Sequence, residues 1–259
     1  MMTNEPIRQI SDALWFPGLK PFRAGACRLF CFPYAGGSSF IYHKWGKIIG
    51  GQLEVCPVQL PGRANRMNEM PFTNVDCLVE VLSERISSFI DRPFAFFGHS
   101  MGAIIAYELA QRLASTSGLE PVHLFVSGRS APHVKSEKFT YNLPKNQFIA
   151  EIEKLNGTPQ EILQNPELLE LLLPLLRADF QLVETYRASD LGALSCPITV
   201  FSGTNDEEVA LEGLEEWKQH TTSRFSIHVL DGDHFFISQH SQFLTATISQ
   251  TLIDQNIIR

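Results

Sequence analysis

The 259 residues carry 44% apolar and 19% charged side chains, the balance of a folded globular chain, and the length accommodates one α/β domain, 1–259, without requiring a second. A formal net charge of −7, with no basic stretch interleaved with aromatics, excludes the electrostatic footprint of nucleic-acid binding. Cys27, Cys31, Cys56, Cys77 and Cys196 are scattered, without CxxC spacing or nearby histidines, so neither a disulfide framework nor a zinc site is expected. They read as small buried residues in a reducing compartment.

The first twenty residues hold Glu5, Asp12 and two prolines where a secretion signal would have a basic start and an unbroken apolar core, so the protein is expected in the cytoplasm. A first strand is expected at 28–33 (RLFCFP), followed by a small-residue loop, AGGSS. A second is expected at 53–59 (LEVCPVQ), followed by a helix whose apolar positions are Val75, Leu78, Val79, Leu82, Ile86 and Ile90. The run FAFFG at 94–98 is a third strand. It leads through GHSMG into a helix that can pack Ile104, Leu109 and Leu113. HLFVSG at 123–128 is a fourth.

The strand rhythm then fails. From about 136 to 190 the pattern is helical, which marks an insertion. Thr158, Pro159 and Glu161 form an N-cap, first-turn proline and capping glutamate, and Asn165-Pro166 starts a second helix in the same way. Pro174 falls inside a leucine-rich helix and is expected to kink or break it. The leucines at 168, 169, 171, 172, 173, 175 and 176 exceed one packing face; they either pack on several sides or line an acyl cavity. Glu170, Pro174, Arg177 and Asp179 interrupt this run well short of the roughly 20 residues that span a bilayer, so no membrane association is expected. ITVFSG at 198–203 and FSIHVL at 225–230 complete six strands. Short strands separated by helical crossovers predict a mostly parallel, doubly wound α/β sheet.

Within that frame Ser100 stands between Gly98 and Gly102 at a strand-to-helix turn, the context in which G-x-S-x-G presents a nucleophile above the carboxyl edge of a sheet. The competing reading is a serine that caps its own helix. A nucleophilic serine needs a histidine base and an acid to orient it, in the chain order Ser, acid, His. His234, in DGDHFF after the last strand, is the best placed of eight histidines; His99 is held in the turn and should point elsewhere. His43, His133, His220 and His240 fall on helical or loop patterns, and His123 and His228 fall in strands. Asp206 follows the fifth strand and so emerges at the same edge. Glu207 or Glu208 could take its place, while Asp231 and Asp233 are expected to shape the turn before His234. The developing oxyanion needs two backbone donors: the amide after the serine, Met101, and one from the loop after the first strand, around Tyr34, Ala35, Gly36 and Gly37. No phosphate-loop pattern is present.

FPYAGGSS, LPGR at 60–63, FFGHSMGA, NGTPQEIL, LLPLLRADFQLVETY, PITVFSG with Asp206, and GDHFF occur in this order across about residues 29–236. Together they resemble the stand-alone type II thioesterases that accompany nonribosomal peptide and polyketide synthases. The resemblance implies an α/β-hydrolase fold, Ser100, Asp206 and His234 as catalytic triad, and Met101 and Ala35 as oxyanion donors. It is the resemblance that selects Ala35 within its loop. It further implies that 136–190 is a mobile helical lid, that no cofactor or metal is needed, and that the substrate is an acyl group on the phosphopantetheine arm of an acyl or peptidyl carrier protein. NDEEV departs from relatives that often have proline after the aspartate.

A monomer is expected. Since carrier proteins are usually acidic, as this chain is, docking needs a local apolar or basic patch, for which Lys44, Lys47, Arg63 and Arg66 are candidates. Arg63 alternatively stays solvated, and Arg177 and Asp179 are expected to pair and position the lid. The alternatives are a medium-chain fatty acyl hydrolase, which shares much of the pattern, an acyltransferase or cyclase, and a non-catalytic binding protein of the same fold.

Overall fold

Each of the six apolar runs forms a strand in the computed structural model, which describes residues 12–19, 27–51, 53–134, 139–158 and 160–259. They are β1 (Cys27–Phe32), β2 (Leu53–Pro57), β3 (Phe94–His99), β4 (His123–Ser127), β5 (Ile198–Gly203) and β6 (Phe225–Leu230). They pair in parallel in the order β2-β1-β3-β4-β5-β6. Every residue of β1, β3, β4 and β5 is buried, which explains why these strands read as continuous apolar runs without alternation.

Successive strand residues face opposite sides of the sheet and build two cores. On one side Phe30, Phe96, Val126 and Val200 meet α2 (Val75–Ser87) and α3 (Met101–Ser117). On the other, Leu29, Phe97, Phe125 and Phe201 meet Trp45 of α1 (Trp45–Ile49) and Leu244, Ile248 and Leu252 of a C-terminal helix described below. The strand order changes direction between β1 and β3, so the crevice at their carboxyl ends is the natural ligand site of such a sheet. The AGG loop and Ser100 both emerge there.

Between β4 and β5 the described residues hold helices and no strand: α4 (Lys145–Lys154), α5 (Gln160–Leu163) and α6 (Pro166–Glu184). They carry a small core of their own, Phe148, Ile152, Leu169, Leu173 and Leu176. Asn165 caps α6 as its sequence announces: its side chain accepts from the Glu167 and Leu168 amides, with Pro166 in the first turn. The matching start of α5 includes Pro159, which lies outside the described residues.

Pro174 does not break α6. The helix runs unbroken to Glu184, because losing one amide donor is offset by burial of Leu169, Leu173, Leu175 and Leu176 on either side of it. Short helices α7 (Leu211–Glu215) and α8 (Phe236–Gln239) precede α9 (Ser241–Asp254), the C-terminal helix that closes the second core.

All five cysteines are free; four are buried, and Cys77 is exposed, contrary to expectation. Among the described residues no helix is long and apolar enough to cross a membrane. The reading of the N-terminus against a secretion signal concerns mainly residues 1–11, outside the described residues.

Candidate active site

The turn from β3 into α3 is too tight for side chains at its two glycines. A Cβ on Gly98 would stand 2.0 Å from the Gly102 carbonyl oxygen, and one on Gly102 would stand 2.1 Å from that of Phe32. The close approach forces Ser100 to φ 53°, ψ −113°, a region rarely taken by non-glycine residues. The backbone is held there by the Ser100 amide donating to the Ser127 carbonyl at 2.8 Å. Ser100 precedes α3 but makes no side-chain capping bond, so the helix-cap reading is set aside.

Two loops bring an acid and a base to the same edge. After β5, the Thr204 and Asn205 amides donate to the carbonyls of Leu230 and Gly232, binding the β5 loop to the β6 loop. This seats the Asp206 side chain, fully shielded from solvent, with Oδ2 2.8 Å from His234 Nδ1. A carboxylate at Nδ1 places the ring proton there and leaves Nε2 as the acceptor. Asp206 Oδ1 accepts the Glu208 amide at 3.0 Å, so the aspartate also shapes its own turn. Glu207 and Glu208 line the same cavity as His234, and it is Asp206 that bonds His234 Nδ1. Asp233 accepts the Phe235 amide and Asp231 accepts the Thr204 hydroxyl, the turn-shaping roles expected of them.

Ser100, His234 and Ala35 line one cavity of about 720 Å³ together with Leu172, Leu175 and Leu176 of α6. His99 is buried beside it, engaged through Nδ1 with the Ser127 hydroxyl at 2.9 Å; burial holds its pKa well below the usual histidine value, so it stays neutral. In the loop after β1, Gly36 N–H donates to Asp179 and Gly37 N–H to the Tyr34 carbonyl. The Ala35 and Met101 amides have no acceptor among the described residues. The site therefore assembles a strained serine followed directly by the unbonded Met101 amide, a hydrogen-bonded His–Asp pair and the unbonded Ala35 amide at a cavity lined by leucines together with Arg129, Glu207 and Glu208.

A family profile described as the thioesterase domain matches residues 27–252. The chain belongs to the thioesterase family. Among relatives of this thioesterase, the gramicidin S biosynthesis protein GrsT of Aneurinibacillus migulanus is 46% identical over 224 residues, spanning 86% of this chain and 88% of its own. The medium-chain S-acyl fatty acid synthase thioesterase of Anas platyrhynchos is 34% identical and spans 89% of this chain and 94% of its own. Among solved structures, the type II thioesterase BorB from the borrelidin biosynthetic cluster superposes with a TM-score of 0.84 at 33% identity, over 92% of this chain and 98% of that one. These similarities and the parallel six-stranded sheet place the thioesterase in the α/β-hydrolase fold.

Several charged residues lie elsewhere than expected. Asp179 does not pair with Arg177: it takes a bidentate bond from Arg63, Nη1 to Oδ2 at 2.9 Å and Nη2 to Oδ1 at 2.8 Å. Arg177 donates to the Tyr141 carbonyl and lies over the Phe148 ring. Arg63 is neither solvated nor available for docking, because its side chain is only 4% exposed. Arg66 is likewise buried, paired with Glu69 and stacked over Trp15. Lys44 and Lys47 remain on the surface.

The leucine run divides by position. Leu168 and Leu171 are exposed; Leu169 and Leu173 pack within the insertion; Leu172 and Leu175 line the cavity, and Leu176 both packs and lines it. Sequence reasoning also missed Arg129, which lines the cavity just beyond β4 and whose pKa burial lowers. A basic residue directly after a strand end is the signal that marks it.

Proposed function

We propose that this thioesterase releases acyl groups from the phosphopantetheine arm of carrier proteins in a nonribosomal peptide or polyketide synthase, clearing aberrant or stalled units. The observation that carries the reading is the 2.8 Å His234–Asp206 bond at the cavity where Ser100 sits in its strained turn. His234 Nε2 takes the Ser100 proton as the oxygen attacks the thioester carbon, and the Met101 and Ala35 amides donate to the oxyanion. Collapse of the tetrahedral intermediate breaks the C–S bond, and His234 returns the proton to the departing thiolate. Water deprotonated by His234 then attacks the acyl–Ser100 ester, the C–Oγ bond breaks as His234 returns that proton to Ser100, and the acid is freed, while Asp206 stabilises the imidazolium in both steps. The chemistry draws on these side chains, two amides and water, without a cofactor. The helical insertion acts as the lid over the acyl chain, and the carrier docks outside it.

The test is release of free acid from acetyl-loaded and longer-acyl-loaded carrier protein by the native enzyme and by Ser100→Ala. Turnover of several short acyl groups, falling in the variant to at most about 10³ to 10⁴ over water, is the expected result. Equal rates for the two proteins would overturn the assignment of Ser100. The apolar lining of the cavity favours one second reading, a medium-chain acyl hydrolase, and turnover confined to one longer chain would select it.

A further inference from the structure

The loop that presents Ala35 is a tight turn. Gly37 N–H donates to the Tyr34 carbonyl at 2.9 Å, and Gly36 has φ +75°, the pattern of a type II turn over residues 34–37. Its two internal peptide planes are fixed separately. The Tyr34 carbonyl shares a plane with the Ala35 N–H, so the Gly37 bond orients that donor. The middle plane, which joins Ala35 to Gly36, is the one that rotates between turn types, and the Gly36 N–H in that plane donates to Asp179 Oδ2 at 2.7 Å.

Asp179 belongs to α6 and lies 143 residues away in sequence. Its side chain is 1% exposed, and the same carboxylate holds the bidentate bond from Arg63. Arg63 in turn donates to the Gly37 carbonyl at 3.1 Å and to the Pro61 carbonyl at 3.2 Å. Gln59 completes the frame: its Nε2 donates to the Arg63 carbonyl at 2.9 Å, and its Oε1 accepts from the Ser39 amide at 3.0 Å. The turn is thus gripped at Gly36, Gly37 and Ser39. Only the first grip comes from the helix that roofs the cavity.

We propose that Asp179 is a positioning residue that, together with Arg63, couples the seating of α6 to the placement of the Ala35 turn, so that the second oxyanion donor is held in position only while the helix covers the cavity. This rests on the proposed roles of Ser100 and Ala35. A hydrogen bond from a backbone amide or a guanidinium to a charged carboxylate is short and directional, so it fixes where the turn sits against α6 more tightly than a neutral contact would. Moving α6 outward withdraws Asp179 from the Gly36 amide and from Arg63, the side chain that also holds the Gly37 carbonyl, so the turn as a body loses the anchors that keep its Ala35 N–H at the cavity. The arrangement limits ester and thioester attack to the closed form, in which water is excluded from the acyl chain.

The test compares steady-state hydrolysis of a butyryl N-acetylcysteamine thioester by the native enzyme and by Ser100→Ala, Asp179→Asn, Arg63→Lys and the double variant Arg63→Met/Asp179→Leu, with thermal midpoints for each. Asp179→Asn is expected to lower kcat by about 10²-fold, the loss typical of one oxyanion donor, with KM within about threefold. Arg63→Lys, which keeps a cation beside Asp179 and the Gly36 bond, should lose less than about tenfold. The double variant removes both buried charges and replaces them with apolar groups, so its thermal midpoint should recover toward the native value while kcat stays low. Native kcat in Asp179→Asn, or recovery of both stability and kcat in the double variant, would overturn the coupling and leave Asp179 a structural residue. Failure of the underlying reading looks different: Ser100→Ala would retain activity.

Discussion

The carbonyl oxygen of Phe32 stands 2.1 Å from where a Cβ on Gly102 would be, and a backbone atom cannot swing aside as a side-chain tip can. Gly102→Ala must therefore displace the first turn of α3, and with it Ser100 and the Met101 amide. Overpacking of this kind costs about 1–3 kcal/mol, so the thermal midpoint should fall by about 3 °C or more. Hydrolysis should fall further than stability accounts for, because the displaced turn carries the proposed nucleophile. Differential scanning fluorimetry and a thioester assay on the same sample check both.

Asp206→Asn tests a different dependence. The amide keeps the shape but no longer accepts from Nδ1 as a charge, so the favoured tautomer and the stabilised imidazolium are lost, and kcat should drop by about 10⁴ with the fold intact. Ser100, Asp206 and His234 could be picked out in the sequence because the proposed chemistry demands particular types in a particular order, and the structure brings them to one sheet edge. Arg63 and Asp179 could not be, since each is only one member of a contact made across 116 residues, and neither flank shows its partner.

At the level of elements, the strands were legible because burial on both faces leaves an apolar run bounded by turn residues, and all six appear where those runs lie. Asn165 and Pro166 announced α6 through local capping chemistry alone. Pro174 misled for a complementary reason: its cost is local, whereas the leucines that hold α6 straight through it owe their burial to α4 and to the cavity wall. The division of labour along α6 yields a prediction. Leu172 lines the cavity and is only partly buried in the insertion core, so Leu172→Trp should reduce cavity volume without unfolding the helix. Acetyl turnover should stay within about threefold of native, while kcat/KM for an octanoyl group should fall by about tenfold or more, since a lost pair of methylenes in an apolar site already costs about 10- to 200-fold each. A chain-length series on the variant checks it, and uniform loss across all lengths would place the acyl chain elsewhere.

Across the whole molecule, acid sensitivity should follow a buried histidine far from the cavity. His123 is 2% exposed, stacked on Phe125, and joins three elements. Its Nε2 meets the Thr199 hydroxyl of β5 at 2.9 Å, and its Nδ1 accepts from the Gln255 side chain just past α9 at 2.8 Å. Because Gln255 donates to Nδ1, the neutral ring carries its proton on Nε2 and gives it to Thr199. Burial pulls the His123 pKa down from 6.5 to about 4. The unfolded chain therefore binds a proton that the native state refuses between these values. The native state has its full stability above about pH 6.5 and loses it progressively as the pH falls to about 4, where both states are protonated. A drop from 6.5 to about 4 corresponds to a loss of about 3 kcal/mol. Urea unfolding at pH 7.0 and 4.5 should show this loss in the native protein, on top of whatever the carboxylates contribute. His123→Gln, which has no charge to gain, should be less stable at pH 7.0 yet show a shallower decline between the two pH values. An equal decline in both proteins would mean that His123 is already protonated in the folded state, with Gln255 turned to present its oxygen to Nδ1.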